Sequence, residues 1–395
     1  MSVSQPSERP GFSLMVGGPL YQILVRSGLL RPPLGLLERR VLALTAFTWL
    51  PLLLLAAIDG RLLPSKGYEP FLHDVEGHVR LLIVLPLLLA AELPVHQRLR
   101  GTIRQFTKRN LVPTEERPKF EAAVAAAMRL RNSAMLEAFL LLLAFTVGHW
   151  LWRSQIAFEG TSWYAVSTNS GLELTLPGYW YGFVAIPLFQ FVGFRWYMRL
   201  LIWACLLLRI SRLRLTLIPT HADRAAGLGF VGNSSYAFGL LLLAHGALLS
   251  GWIADRVLLG GRSALDFQVE AVVLICCVVA AIVAPLCVFA GPLAAAKRRG
   301  RGEYGALVSQ YTQAFDRKWI HGKRPPDEPM LGSGDMQSLA DLSTCYEIVQ
   351  DTRLVPFGLK LLTQLALITA VPLLPLAFTI LPLRSMIMQA IKIVL

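Results

Sequence analysis

Two acids and two arginines stand inside long apolar runs of the chain: Glu92, Glu137, Arg195 and Arg199. An unpaired charge in hydrocarbon costs at least ~2.5–3.5 kcal/mol on insertion scales, so such groups pair or face water. A helix rises 1.5 Å per residue, which turns sequence position into depth. Glu92 falls roughly 18 Å, and Arg195 roughly 22 Å, below the outer ends of their runs. Glu137, roughly 6 Å above the inner end of its run, reaches the same level. Arg199, four residues after Arg195, shares its helix face. All four belong to one layer in the inner third of a membrane. Its chemistry is either an anion- or proton-handling site between helices, or an ion-pair clasp that fixes their packing.

A second candidate is the polar loop THADRAAGLGF, residues 220–230. His221, Asp223 and Arg224 stand beside Gly227 and Gly229, whose conformational freedom allows successive N–H groups to form an anion nest ahead of a helix. The plainer reading is an Asx-turn in a tight loop. The loop has neither the lysine nor the spacing of a nucleotide-binding P-loop. In LGSGDMQSLADL, Ser333 or Asp335 is expected to cap the helix that follows. In FDRKWI, Lys318 and Trp319 are expected to anchor at a membrane surface. The cluster HDVEGH offers His73, Asp74, Glu76 and His78, but a third strong ligand is not assured and no metal is expected. His245 falls mid-run, where a proton relay competes with a simple interhelical hydrogen bond. Asp255 belongs at the outer mouth of its run. No spacing argues for a catalytic triad or a zinc-protease motif, and no cofactor is implied.

The elements that position these residues follow from the apolar pattern. The 395 residues are 54% hydrophobic and only 16% charged, against about 25% charged in soluble domains. Seven runs are long enough to cross a bilayer: 41–59, 80–95, 133–152, 180–207, 236–256, 270–293 and 357–381. Backbone groups in lipid must pair within their own segment, so the spans are helices. The expected fold is an all-α polytopic membrane protein with about seven transmembrane helices plus interfacial and cytoplasmic helices. It divides into a cytoplasmic segment 1–40 with an interfacial helix, a six-helix region 41–293, a cytoplasmic helical pair 294–356, and a last span with an interfacial tail, 357–395.

Orientation comes from charge. Of 38 Lys and Arg, 27 fall in 1–40, 97–132, 209–233 and 297–353, so the N-terminus is expected on the cytoplasmic side. That rule explains the net charge of +13 without invoking nucleic acid. Residues 18–30 read as an amphipathic helix on the inner leaflet. Residues 114–132 read as a helix capped by Thr114 that runs on into the third span. Residues 303–320 and 335–352 form the cytoplasmic pair, split by the turn GKRPPDEP. The last run is interrupted by Pro372, Pro375 and Pro382. It reads as one kinked span, with a re-entrant hairpin as the alternative. Cys205, Cys276, Cys277, Cys287 and Cys345 form no metal or disulfide pattern. The first apolar run begins near Val41, too late for a secretory signal.

Taken together, PLFQFVGFRWYMRLLIW, THADRAAGLGF, FDRKWI, LGSGDMQSLADL and VPFGLKLL with VPLLPLAFTILPL resemble a family of uncharacterised bacterial polytopic membrane proteins. The resemblance covers nearly the whole chain and implies a bacterial inner-membrane protein, without an activity. Ala222 departs from it, standing where the family pattern has Pro. Three functions fit these residues: a channel or transporter for a small anionic solute, a sensor or assembly scaffold, and a lipid-modifying enzyme built on His221 and Asp223. The partner expected is the lipid bilayer, with self-association into a homo-oligomer left open.

Overall fold

The computed structural model describes residues 12–64, 68–159, 162–168, 171–322 and 333–377. The chain is a helical bundle. Seven helices are long and apolar enough to cross a membrane: Leu37–Ile58, Val75–Lys108, Ala134–Ser154, Leu176–Ser211, Gly229–Leu258, Ala264–Ile320 and Leu359–Leu376. The second, fourth, fifth and sixth contain their expected runs and extend beyond them; the first and third match theirs to within a few residues, and the described seventh, Leu359–Leu376, is shorter than 357–381. The polar ends of the second, fourth and sixth project past any hydrocarbon layer. The fifth packs centrally, against the second, sixth and seventh.

Apolar side chains cover the outside of the bundle as well as its core. Leu42, Leu54 and Ile58 on the first span and Val269, Val272 and Val273 on the sixth are exposed. In water such a surface would drive aggregation; against lipid it is the expected outer face. Within the bundle the helices approach closely through glycine. A Cβ on Gly246 would collide with the Thr369 carbonyl of the seventh span, and one on Gly232 with the Pro356 carbonyl just ahead of it. Small residues at these crossings let backbones touch where lipid offers no hydrophobic drive.

Several expected boundaries move. The sixth span and the helix expected at 303–320 are one continuous helical rod, Ala264–Ile320. The helix Gly334–Gln350 packs back along this rod, and Ser333 caps it by accepting the Asp335 N–H at 3.2 Å. The turn GKRPPDEP lies largely outside the described residues, as does the tail that would decide between a span and a re-entrant hairpin. The helix Arg117–Arg131 does not continue into the third span. The chain breaks at Asn132–Ser133, and the Ser133 hydroxyl caps the new helix by accepting the Leu136 N–H. Thr114 caps nothing; it opens a short 3-10 turn, Thr114–Glu116. A two-stranded hairpin not expected from the sequence, β1 Ala165–Thr168 and β2 Gly171–Leu174, joins the third and fourth spans.

The N-terminal segment also departs from a surface helix. Pro19–Arg26 is helical, but the residues before it turn inward. Phe12, Ser13, Leu14 and Met15 are buried, with Phe12 6.2 Å from the Trp203 ring. The segment therefore closes the basic end of the bundle over the charged layer.

Candidate functional site

The four intramembrane charges meet as their depths require. Arg199 Nη2 lies 2.8 Å from Glu92 Oε1, and Arg195 Nη2 lies 3.2 Å from Glu137 Oε1. Two further groups, missed in the sequence, complete the layer. Arg40, only 2% exposed at the start of the first span, reaches the second Glu92 oxygen at 2.9 Å. The N–H of Leu20, in the first turn of the N-terminal helix, donates to Glu137 Oε2 at 2.8 Å. Arg131 stands beside them and donates to the Ser13 carbonyl. Arg40 reads in the sequence as one more cytoplasmic cation at the foot of a span, so nothing there marks it as buried.

The layer thus places three arginines on two carboxylates and joins the first four spans. The cavity beside it, lined by Arg131, Glu137, Arg195 and Arg199, measures 30 Å³, room for water and not for a solute. Each carboxylate already has two donors. Deeper in the bundle, His245 is held by two hydrogen bonds. Its Nδ1 faces the Leu241 carbonyl at 2.7 Å and its Nε2 faces the Tyr197 hydroxyl at 2.7 Å. A carbonyl only accepts, so the proton sits on Nδ1 and Tyr197 donates to Nε2.

The loop 220–230 carries a correction. The N–H groups of Ala225 and Gly227 donate to Asp223 Oδ1 at 2.8 and 3.1 Å, and that of Gly229 donates to Oδ2 at 2.8 Å. The nest exists, but the loop's own carboxylate fills it, so these glycines offer no free donors to a ligand. Their geometry holds the backbone of Arg224 and Ala226 at positive φ, 53° and 50°, which non-glycine residues rarely adopt. Burial alone would raise the Asp223 pKa. The three N–H bonds, with His221 Nδ1 at 3.0 Å, outweigh it and hold the carboxyl below its ordinary value. Arg224 turns away to Asp351 at 3.3 Å. Its carbonyl accepts the Arg353 N–H at 2.8 Å, stitching the loop to the segment that leads into the seventh span.

That stitching builds a cavity of 660 Å³ at the basic end of the bundle. His221, Asp223 and Gly229 lie on one wall, with Arg109 from the end of the second span. Arg353, Gly358 and Lys360 lie opposite, at the entry to the seventh span. Arg109 rests over the Phe230 ring, 5.0 Å from its centroid. No carboxylate among the described residues pairs with Arg109, Arg353 or Lys360. Lys360 sits in the first turn of its helix, where the dipole disfavours a cation, and no side chain caps that turn. Sequence reasoning passed over these three cations, each of which looks like ordinary positive-inside charge. The one signal available was a lysine placed against a helix dipole.

The HDVEGH cluster is spent on structure. Asp74 accepts the Gly77 N–H at 2.6 Å and the Trp163 indole at 2.9 Å, while Glu76 pairs with Arg80 and Arg256. Among the described residues no group of three or more potential ligands could hold a metal. Of the two cap candidates Ser333 caps the helix, while Asp335 accepts from Lys318 at 2.7 Å and from the Trp319 indole at 3.1 Å. Those bonds hold its carboxyl below the usual range. No family model, no curated protein and no solved structure matches the chain.

Proposed function

We propose that the chain is a multi-pass protein of a bacterial inner membrane, its basic end in the cytoplasm, that binds a phosphate-type anion in the cavity between Arg109, Arg353 and Lys360. The observation that carries this reading is three cations around a 660 Å³ cavity whose one carboxylate, Asp223, already has its own donors. Cations gathered without partners repel one another, and an anion removes that cost. The uncapped helix entry beside Lys360 adds the positive end of a dipole. The excess of Lys and Arg at this end supports the placement.

Radiolabelled pyrophosphate should bind the detergent-purified protein, and Arg353→Ala with Lys360→Ala should weaken it by roughly 10–100-fold, the worth of one or two charged hydrogen bonds. Equal binding by the double variant removes the site. Transport of the same anion extends the reading, favoured by the extra arginine in the layer between the spans. In proteoliposomes it predicts a pyrophosphate or phosphate flux that Arg195→Ala alters. Absence of flux in the wild type leaves a binding protein and not a carrier.

A further inference from the structure

We infer that the ligand of this cavity is a lipid with a terminal phosphate, its headgroup among Arg109, Arg353 and Lys360 and its tail along the outer face of the seventh span; this rests on the anion-binding reading above.

The cavity lies where three spans reach the basic end: the second ends at Lys108, the fifth begins at Gly229 and the seventh at Leu359. With these helices placed across a bilayer, the entries of the fifth and seventh spans, and the cavity between them, fall near the headgroup layer.

The cavity wall itself leads toward lipid. Leu359 lines the cavity and is 76% exposed. It opens a stripe that continues through Thr363, Leu367, Val371 and Leu374, at spacings of four, four, four and three, all exposed. Those spacings keep to one helix face. In a bundle whose outer surface meets lipid, this face is where acyl chains lie. A headgroup in the cavity therefore has a largely apolar track for its tail, starting at the cavity's own rim, with the Thr363 hydroxyl turned back to the Lys360 carbonyl. A soluble anion would need no such track.

Charge selects the headgroup. Three cations stand against one carboxylate that is bound inward, leaving a surplus of two. A phosphate monoester carries about −1.5 to −2 at neutral pH, and a diphosphate more, whereas a phosphodiester headgroup carries only one negative charge. The surplus is matched by a terminal phosphate and under-used by a diester. Phe230, Pro356 and Phe357, which also line the cavity, suit the carbon atoms next to that phosphate.

The test uses the full-length protein in detergent, read by native mass spectrometry with added phosphatidic acid, phosphatidylglycerol or phosphatidylcholine, and by displacement of labelled pyrophosphate. Phosphatidic acid should be retained at least tenfold better than phosphatidylglycerol, phosphatidylcholine not at all, and phosphatidic acid should displace the pyrophosphate. Leu359→Gln should weaken retention of phosphatidic acid while pyrophosphate still binds, which also shows that the variant is folded. Equal retention of the two anionic lipids overturns the terminal-phosphate assignment. Pyrophosphate that binds but is not displaced by phosphatidic acid overturns the lipid and leaves the anion site standing. If neither binds, both readings fall.

Discussion

Glu92 answers two guanidinium groups at once, Arg40 from the first span and Arg199 from the fourth. Replacing it by Gln leaves two buried arginines facing each other, and breaking a buried pair costs about 3–5 kcal/mol. Glu92→Gln should therefore lower the unfolding midpoint in detergent more than Arg40→Ala, which leaves Glu92 its second partner. A Tm unchanged by Glu92→Gln would mean that the clasp carries no stability. Asp223 predicts a pH dependence with a definite sign. Its folded-state pKa lies below the ordinary 3.8, so its contribution is complete above that value and is lost as pH falls through the folded value. Thermal unfolding followed as pH is lowered from neutral through 3.8 and below should show this acid limb, and Asp223→Asn should flatten it. Arg195, Arg199, Glu92 and Glu137 were legible because helix rise alone fixes their common depth. Arg40, Arg353 and Lys360 were not, because a cation at the foot of a span is what the orientation rule already predicts.

At the scale of elements, the seven runs were readable from hydropathy, since length and apolar content are local properties. Their ends were not. The break at Asn132–Ser133 depends on a serine cap, and the rod Ala264–Ile320 depends on packing against Gly334–Gln350. The inward turn of Phe12–Met15 depends on a cleft made by distant spans. The contact between the fifth and seventh spans sets the cavity, since the lead-in to the seventh carries Arg353 and Gly358. Gly246→Val should push the two helices apart against the Thr369 carbonyl. Overpacking of this kind costs about 1–3 kcal/mol, so Tm should fall and pyrophosphate binding weaken together. A variant that folds and binds like the wild type would show that this crossing does not set the cavity.

For the whole molecule, the orientation inferred from charge predicts a labelling pattern. A cysteine at Gly261, in the loop after the fifth span, should react in intact cells with a maleimide that cannot cross the membrane. One at Arg301, exposed on the polar end of the sixth helical rod, should react only after lysis. The reverse pattern would invert the molecule and move the cavity to the outer surface. Cys205, Cys276, Cys277 and Cys287 lie within the helices proposed to be in lipid, away from an aqueous reagent. The membrane fold was almost wholly legible in the sequence. The cavity was only half so, because two of its walls come from segments more than a hundred residues apart, joined by backbone bonds such as Arg353 N–H to the Arg224 carbonyl.

The charged layer also constrains how the chain is made. Glu92 finds Arg40 as soon as the second helix follows the first off the ribosome, so that pair can enter the bilayer together. Glu137 has no such neighbour: its arginine arrives with the fourth helix, 58 positions later. Until then the third helix carries an acid with the Leu20 N–H as its donor and no cation to balance its charge. The first three helices must therefore wait, unsealed, at the insertion machinery until Arg195 emerges, and a chain truncated before that residue should fail to integrate stably.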